Sequence, residues 1–137
     1  MAEMGRIAGY DVKVVDAQPD RGDRPELELS QITDNTSVVI ITEDHRTDEA
    51  TLRKVIETRA SYIGMIGSLK KIGAILDHLR EERFKEEHLK RLRGPIGLDL
   101  GGREPQAIAL AILAEIEMVR HGGTGKPRSH EMKRGAD

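Results

Sequence analysis

The run "YIGMIGSLKK", residues 62–71, carries the groups best suited to binding an anion. Gly67 and Ser68 stand where an apolar strand gives way to a helical period, and Lys70 and Lys71 follow in the first helical turn. Free backbone N–H groups at a helix start, with a seryl hydroxyl and a cation beside them, suit a phosphate. Without such an anion the lysines are misplaced, because the helix N-terminus is itself partly positive and a cation there costs a few tenths to about 1 kcal/mol. A plain N-cap at Ser68, with both lysines in water, is the equal competitor.

Three further places offer polar chemistry. Asp16 ends a β-branched run (Val12, Val14, Val15), the position of the acidic residue that hydrogen-bonds a ribose in dinucleotide-binding folds. The glycine fingerprint that belongs roughly 20 residues upstream of such an acid is missing. Neither Gly5 nor Gly9 forms G-x-G-x-x-G, so a solvated loop acid is the stronger reading of Asp16. "EDHRTD" supplies Glu43, Asp44, His45 and Asp48, which could serve a divalent metal or acid–base work. One imidazole among loop carboxylates is weak ground for a metal, and Asp48 suits a helix's first turn; a polar ligand contact from Asp44 or His45 is the better expectation. "PIGLDLGG" sets Asp99 among Gly94, Gly97, Gly101 and Gly102, which permit either a close backbone approach to a ligand or a tight structural turn. "GGTGK" near the C-terminus is not a P-loop, since Pro127 stands where Ser or Thr is required.

The elements that must position these groups alternate. Strands are predicted at residues 12–16, 38–41 and 62–66, the second continuously apolar as in a sheet buried on both faces. A helix carrying Leu52, Val55 and Ile56 follows the second strand, with Thr47 as its expected N-cap. A helix with Leu69, Ile72, Ile75 and Leu79 on one face follows the third, and a shorter helix is expected over residues 85–93. "GPIGLDLGGREP" reads as a short strand or loop, and Pro105 suits the first turn of a long helix striped by Ile108, Ile112, Ile116 and Val119. Residues 1–120 are thus predicted to form one α/β domain, a three-layer αβα with a mostly parallel sheet, and residues 121–137 a flexible tail. In such folds ligands bind beyond the carboxyl ends of the strands, where Asp16, Asp44, His45, Gly67, Ser68 and Asp99 fall.

Composition narrows the function. The chain has 137 residues, a formal net charge of -2 and three aromatic side chains, Tyr10, Tyr62 and Phe84, so nucleic-acid binding by base stacking is not expected. Cysteine is absent, which excludes disulfides, thiolate metal sites and a cysteine nucleophile within this chain. The longest apolar run, "AIALAILA", falls far short of the roughly 20 residues that span a bilayer, pointing to a soluble, cytoplasmic protein. Charged residues make up 34% of the chain and Asn35 is the single asparagine, a pattern found in thermophiles.

Taken together, "YIGMIGSLKK", "GPIGLDLGGREPQAIALAILAEIEMVR" and "ITEDHRTDEATL" resemble the C-terminal Rossmann-like domain of the XdhC/CoxI family over residues 9–120. The family comprises accessory proteins of xanthine dehydrogenase and carbon monoxide dehydrogenase. The resemblance implies a carrier rather than a catalyst. Such proteins bind the molybdenum cofactor (molybdopterin, in some cases in a dinucleotide form), shield it during sulfuration by a cysteine desulfurase and pass it to the molybdenum hydroxylase subunit. Its phosphate would occupy the site at Gly67, Ser68, Lys70 and Lys71. Family members usually begin this domain with a strand and a glycine-rich loop, and carry His, Arg and Glu where Glu43, Leu69 and Ala107 stand here. With that first strand missing or replaced, the strands at residues 12–16 and 38–42 would flank a gap. Unpaired edges recruit partners, so a homo-oligomer, a companion XdhC subunit or direct pairing of the two strands is expected. Two other classes remain open: an NAD(P)-binding oxidoreductase fragment, and an assembly subunit that binds only protein.

Overall fold

A computed structural model describes residues 1–15, 27–41 and 44–129, His45 by its backbone alone. Its elements are α1 (Ala2–Ile7), a 3-10 turn (Leu29–Gln31), β1 (Ser37–Ile40), α2 (His45–Val55), β2 (Tyr62–Met65), α3 (Leu69–Glu81), α4 (Glu86–Leu89), β3 (Leu92–Arg93) and α5 (Pro105–His121). The strands form one parallel sheet in the order β1-β2-β3, pairing Ser37 with Tyr62, Ile40 with Met65 and Ile63 with Leu92.

Both faces of this sheet are covered, as a parallel sheet requires. Val38 and Ile40 of β1 and Ile63 and Met65 of β2 meet Leu52, Val55, Ile72 and Leu79 of α2 and α3. The alternate residues Val39, Tyr62 and Ile66 meet Ile112, Ile116 and Val119 of α5. The period of two along the strands thus sorts side chains between two cores, giving the Rossmann-like αβα sandwich expected. Gly64 fits this packing because the loop after β3 crosses it: a Cβ there would lie 2.5 Å from Ile96 Cδ1.

Several local expectations need correction. Residues 11–14 are not in a strand, and Val15 makes one isolated bridge; β-branched side chains favour a strand only where the surrounding packing supplies one. Asp16 lies outside the described residues. Asp44, not Thr47, caps α2: Asp44 Oδ1 accepts the Arg46 N–H at 3.1 Å and Oδ2 accepts the Thr47 hydroxyl at 3.1 Å. The helix expected over residues 85–93 stops at Leu89, and Leu92 and Arg93 join the sheet instead. Residues 94–104 contain no strand. At its C-terminal end α5 runs through His121 and is closed by Gly122 in the left-handed conformation (φ 66°). The chain then turns back, Gly123 N–H donating to the Met118 carbonyl at 2.9 Å.

The short β3 is braced by a side chain. Arg91 donates to the carbonyls of Ile56 at 2.9 Å and Thr58 at 2.6 Å, and also to that of Ala60. Its guanidinium fork thereby satisfies the end of α2 and the turn into β2.

Candidate functional site at the carboxyl ends of the strands

The turn from β2 into α3 is built on Gly67 and Ser68. Gly67 has φ +154°, and a Cβ on it would fall 2.9 Å from Lys71 Cδ. Its bareness leaves a channel through which the Lys71 stem passes. Ser68 is the N-cap of α3, its Oγ accepting the Lys71 N–H at 3.1 Å. Among the described residues no acceptor meets the N–H groups of Gly67, Ser68, Leu69 or Lys70. Four consecutive donors at the positive end of a helix are therefore left without an acceptor among the described residues.

The two lysines part company here. Lys70 is exposed and has no ion-pair partner among the described residues. Lys71 turns inward, 14% exposed, and its ammonium pairs with Asp48, whose side chain is 1% exposed. It also lies 3.5 Å from the Ile66 carbonyl. Lys71 thus has an anion within the fold, supplied by α2, while Lys70 carries an exposed charge at the rim.

Asp44 sits at the carboxyl end of β1 with both carboxylate oxygens engaged in capping. His45 opens α2, and its side chain lies outside the description. Asp99 is exposed in the loop of residues 94–104. That loop is close-fitting: a Cβ on Gly94 would lie 2.8 Å from Ile72 Cδ1, and one on Gly102 2.5 Å from Ala107 Cβ. Its course is fixed by backbone bonds from Ile96 N–H to the Met65 carbonyl and from Leu98 N–H to the Ala111 carbonyl, each 3.1 Å.

Glu115 pins the same loop. Buried at 8% exposure in α5, its Oε1 accepts the Tyr62 hydroxyl at 2.6 Å and the Gly97 N–H at 3.3 Å. Burial, then the hydrogen bond and charge of Glu115, raise the Tyr62 phenol above its ordinary value. Tyr62 is 2% exposed, so the pair ties β2, α5 and the loop together from within.

Sequence reasoning missed the structural weight of Asp48, Glu115 and Arg91. Asp48 precedes Leu52 by one helical step of four and so belongs to that helix's inner face; Glu115 interrupts the stripe between Ile112 and Ile116. Both signals were present in the spacing. Arg91 carried none, because its acceptors are main-chain carbonyls. Among the described residues no group of three or more His, Asp or Glu side chains gathers as for a metal ion. No described helix is long and apolar enough to cross a membrane. The arrangement is an open rim in which unbonded backbone N–H groups, the Ser68 hydroxyl and the exposed Lys70 lie close together in sequence.

Comparison with known proteins identifies the family. Residues 1–116 match the family described as the XdhC Rossmann domain. The chain is 30% identical over 142 aligned positions to the uncharacterized protein YqeB of Escherichia coli (strain K12), covering 91% of this chain and 26% of YqeB. It is 27% identical over 119 positions to the molybdenum cofactor insertion chaperone PaoD of the same organism, covering 87% of this chain and 36% of PaoD. A crystal structure from Bacillus halodurans, described as a xanthine dehydrogenase, superposes with a TM-score of 0.70 at 21% identity, over 88% of this chain and 38% of that one. That likeness is one of fold. The chain spans well under half the length of each of these relatives.

Proposed function

Because this chain belongs to the XdhC Rossmann-domain family, we propose that it is an accessory factor for molybdenum hydroxylases of the xanthine dehydrogenase type, handling the molybdenum cofactor rather than catalysing its chemistry. The observation that carries this reading is the similarity to a molybdenum cofactor insertion chaperone across 87% of the chain.

The residues at the rim fit the cofactor's phosphate. Gly67, Ser68, Leu69 and Lys70 offer backbone N–H groups, the Ser68 hydroxyl retains its proton for donation, and Lys70 supplies a cation. Asp99, Asp44 and His45 border the same end of the sheet, where a pterin or nucleotide ring would find polar contacts; Asp16, outside the described residues, would face a ribose. Lys71 acts on the site from behind, through Asp48. The bound cofactor supplies the molybdenum centre; this chain's residues hold its phosphate and present the remainder to a hydroxylase subunit. A cysteine desulfurase, a companion XdhC subunit or a second copy of the chain are the partners such a role calls for.

Titration calorimetry with isolated molybdenum cofactor, with CTP and GTP, and with NAD(P) tests the proposal. Cofactor binding weakened by Lys70→Ala is expected. Binding of NAD(P) but not of the molybdenum cofactor would replace the proposal with a dinucleotide-binding role, and no binding to any would favour a protein-binding assembly subunit.

A further inference from the structure

Resting on that reading of the rim, we infer that Lys71 is a positioning residue, which holds the β2–α3 turn in its anion-receiving shape by clamping it to α2 through Asp48, while Lys70 alone supplies charge to the ligand. Three contacts of the Lys71 side chain carry this role. The Lys71 ammonium is paired with a carboxylate that is almost wholly buried, so its charge is already matched inside the fold. The same ammonium lies 3.5 Å from the carbonyl of Ile66, the residue before the turn. Its stem lies over Gly67 in space that a Cβ would occupy, 2.9 Å from Cδ. One side chain therefore touches the entry to the turn, the glycine at its bend and the neighbouring helix.

Lys71 and Ser68 bound the turn that carries the four unbonded N–H groups. A helix N-terminus leaves its first N–H groups unbonded, and only the chain before it decides whether preceding N–H groups point the same way. Here that chain is bounded by Lys71 on one side and by the Ser68 cap on the other. The two helix N-termini at the carboxyl ends of β1 and β2 are also joined, since Asp48 lies in the first turn of α2 and Lys71 in that of α3. A buried ion pair is a poor source of net stability, and replacing both partners by apolar side chains is often neutral. Such a pair is better suited to fixing a geometry than to strengthening the fold.

The test separates positioning from folding and from ligand choice. Inorganic pyrophosphate is the probe, and the variants are Lys70→Ala, Lys71→Met and Asp48→Leu/Lys71→Met in the full chain. Lys70→Ala should weaken pyrophosphate by about tenfold, the weight of one charge-assisted contact, and flatten the salt dependence of binding. The double variant should unfold near the wild-type temperature yet bind about tenfold more weakly with the wild-type salt dependence, because it loses geometry and keeps Lys70. Backbone 15N relaxation reads the turn directly: the order parameters of Gly67–Lys70 should fall from near 0.85 toward about 0.6 in both Lys71 variants and stay rigid in Lys70→Ala. Unchanged order parameters in the double variant would overturn the inference whether or not pyrophosphate binds. Wild-type-like binding by the double variant would overturn it as well. Failure of the wild type to bind pyrophosphate, with the turn loosened as expected, would count against the phosphate site and leave the clamp standing.

Discussion

Replacing Tyr62 with phenylalanine removes one oxygen from the interior and nothing else. That oxygen donates at 2.6 Å to Glu115, and the two side chains are 2% and 8% exposed. After the change, the carboxylate keeps only the Gly97 N–H at 3.3 Å among the bonds to its Oε1. A hydrogen bond to a charged group is worth about 1.5–3 kcal/mol, so a loss near 2 kcal/mol is expected. For a domain of this size that corresponds to a fall of roughly 6–8 °C in Tm. The pH dependence gives a second, independent readout. The folded protein raises the Tyr62 phenol above its ordinary value of 10.0, so it holds this proton at a pH where the unfolded chain has released it. The stability contributed in this way is complete below pH 10 and drains as pH climbs further, by up to about 1.4 kcal/mol per unit. Tyr62→Phe has no such proton, and the gap between variant and wild type should narrow above pH 10. Thermal and urea unfolding followed by circular dichroism at pH 7, 9 and 10.5 would measure both. A Tm within about 1 °C of wild type at pH 7, or a gap that stays constant into the alkaline range, would refute the account of Glu115 as the inner anchor of the 94–104 loop.

Arg91→Ala should cost about 3 kcal/mol in urea denaturation, because it strips the guanidinium from the Ile56, Thr58 and Ala60 carbonyls and leaves part-buried acceptors unmet. Arg91→Lys should recover less than half of this, a single ammonium being unable to reproduce the fork. Gly64→Ala should destabilise by about 1–3 kcal/mol through overpacking, since the new methyl would meet Ile96 at 2.5 Å and Tyr62 Cε1 at 2.8 Å; a neutral result would mean that the loop after β3 yields easily.

Much of the fold was legible because hydrophobic period and strand order agree. The continuous apolar run at Val38–Ile41 reads as a parallel strand buried on both faces and Tyr62–Ile66 as a further strand, and Ser37–Ile40 and Tyr62–Met65 pair in parallel register. What failed were features decided by neighbours. Residues 12–15 have strand-like side chains but no ladder, and Leu92 and Arg93 lack β-branching yet pair with β2 because α4 ends in time to deliver them there. At the site, the sequence placed Lys70 and Lys71 side by side and could not tell them apart. Successive residues on a helix point about 100° apart, and that rotation sends Lys71 toward the buried side shared with Ile75 while Lys70 faces water. The partner that completes the distinction, Asp48, is 23 residues away on another helix.

The bracing of β3 by Arg91 has a consequence for how the sheet finds its alignment. With only two residue pairs, Ile63 with Leu92 and Gly64 with Arg93, the strand itself has little power to choose its register. Sliding by one residue would turn Arg91 to the opposite face, carrying its charge away from three main-chain oxygens and into an apolar layer. The arginine therefore works as a registration pin: mispaired arrangements of β3 are penalised by a stranded cation, and the loop that follows, with Asp99 and the glycines of the rim, is delivered at one height above the sheet.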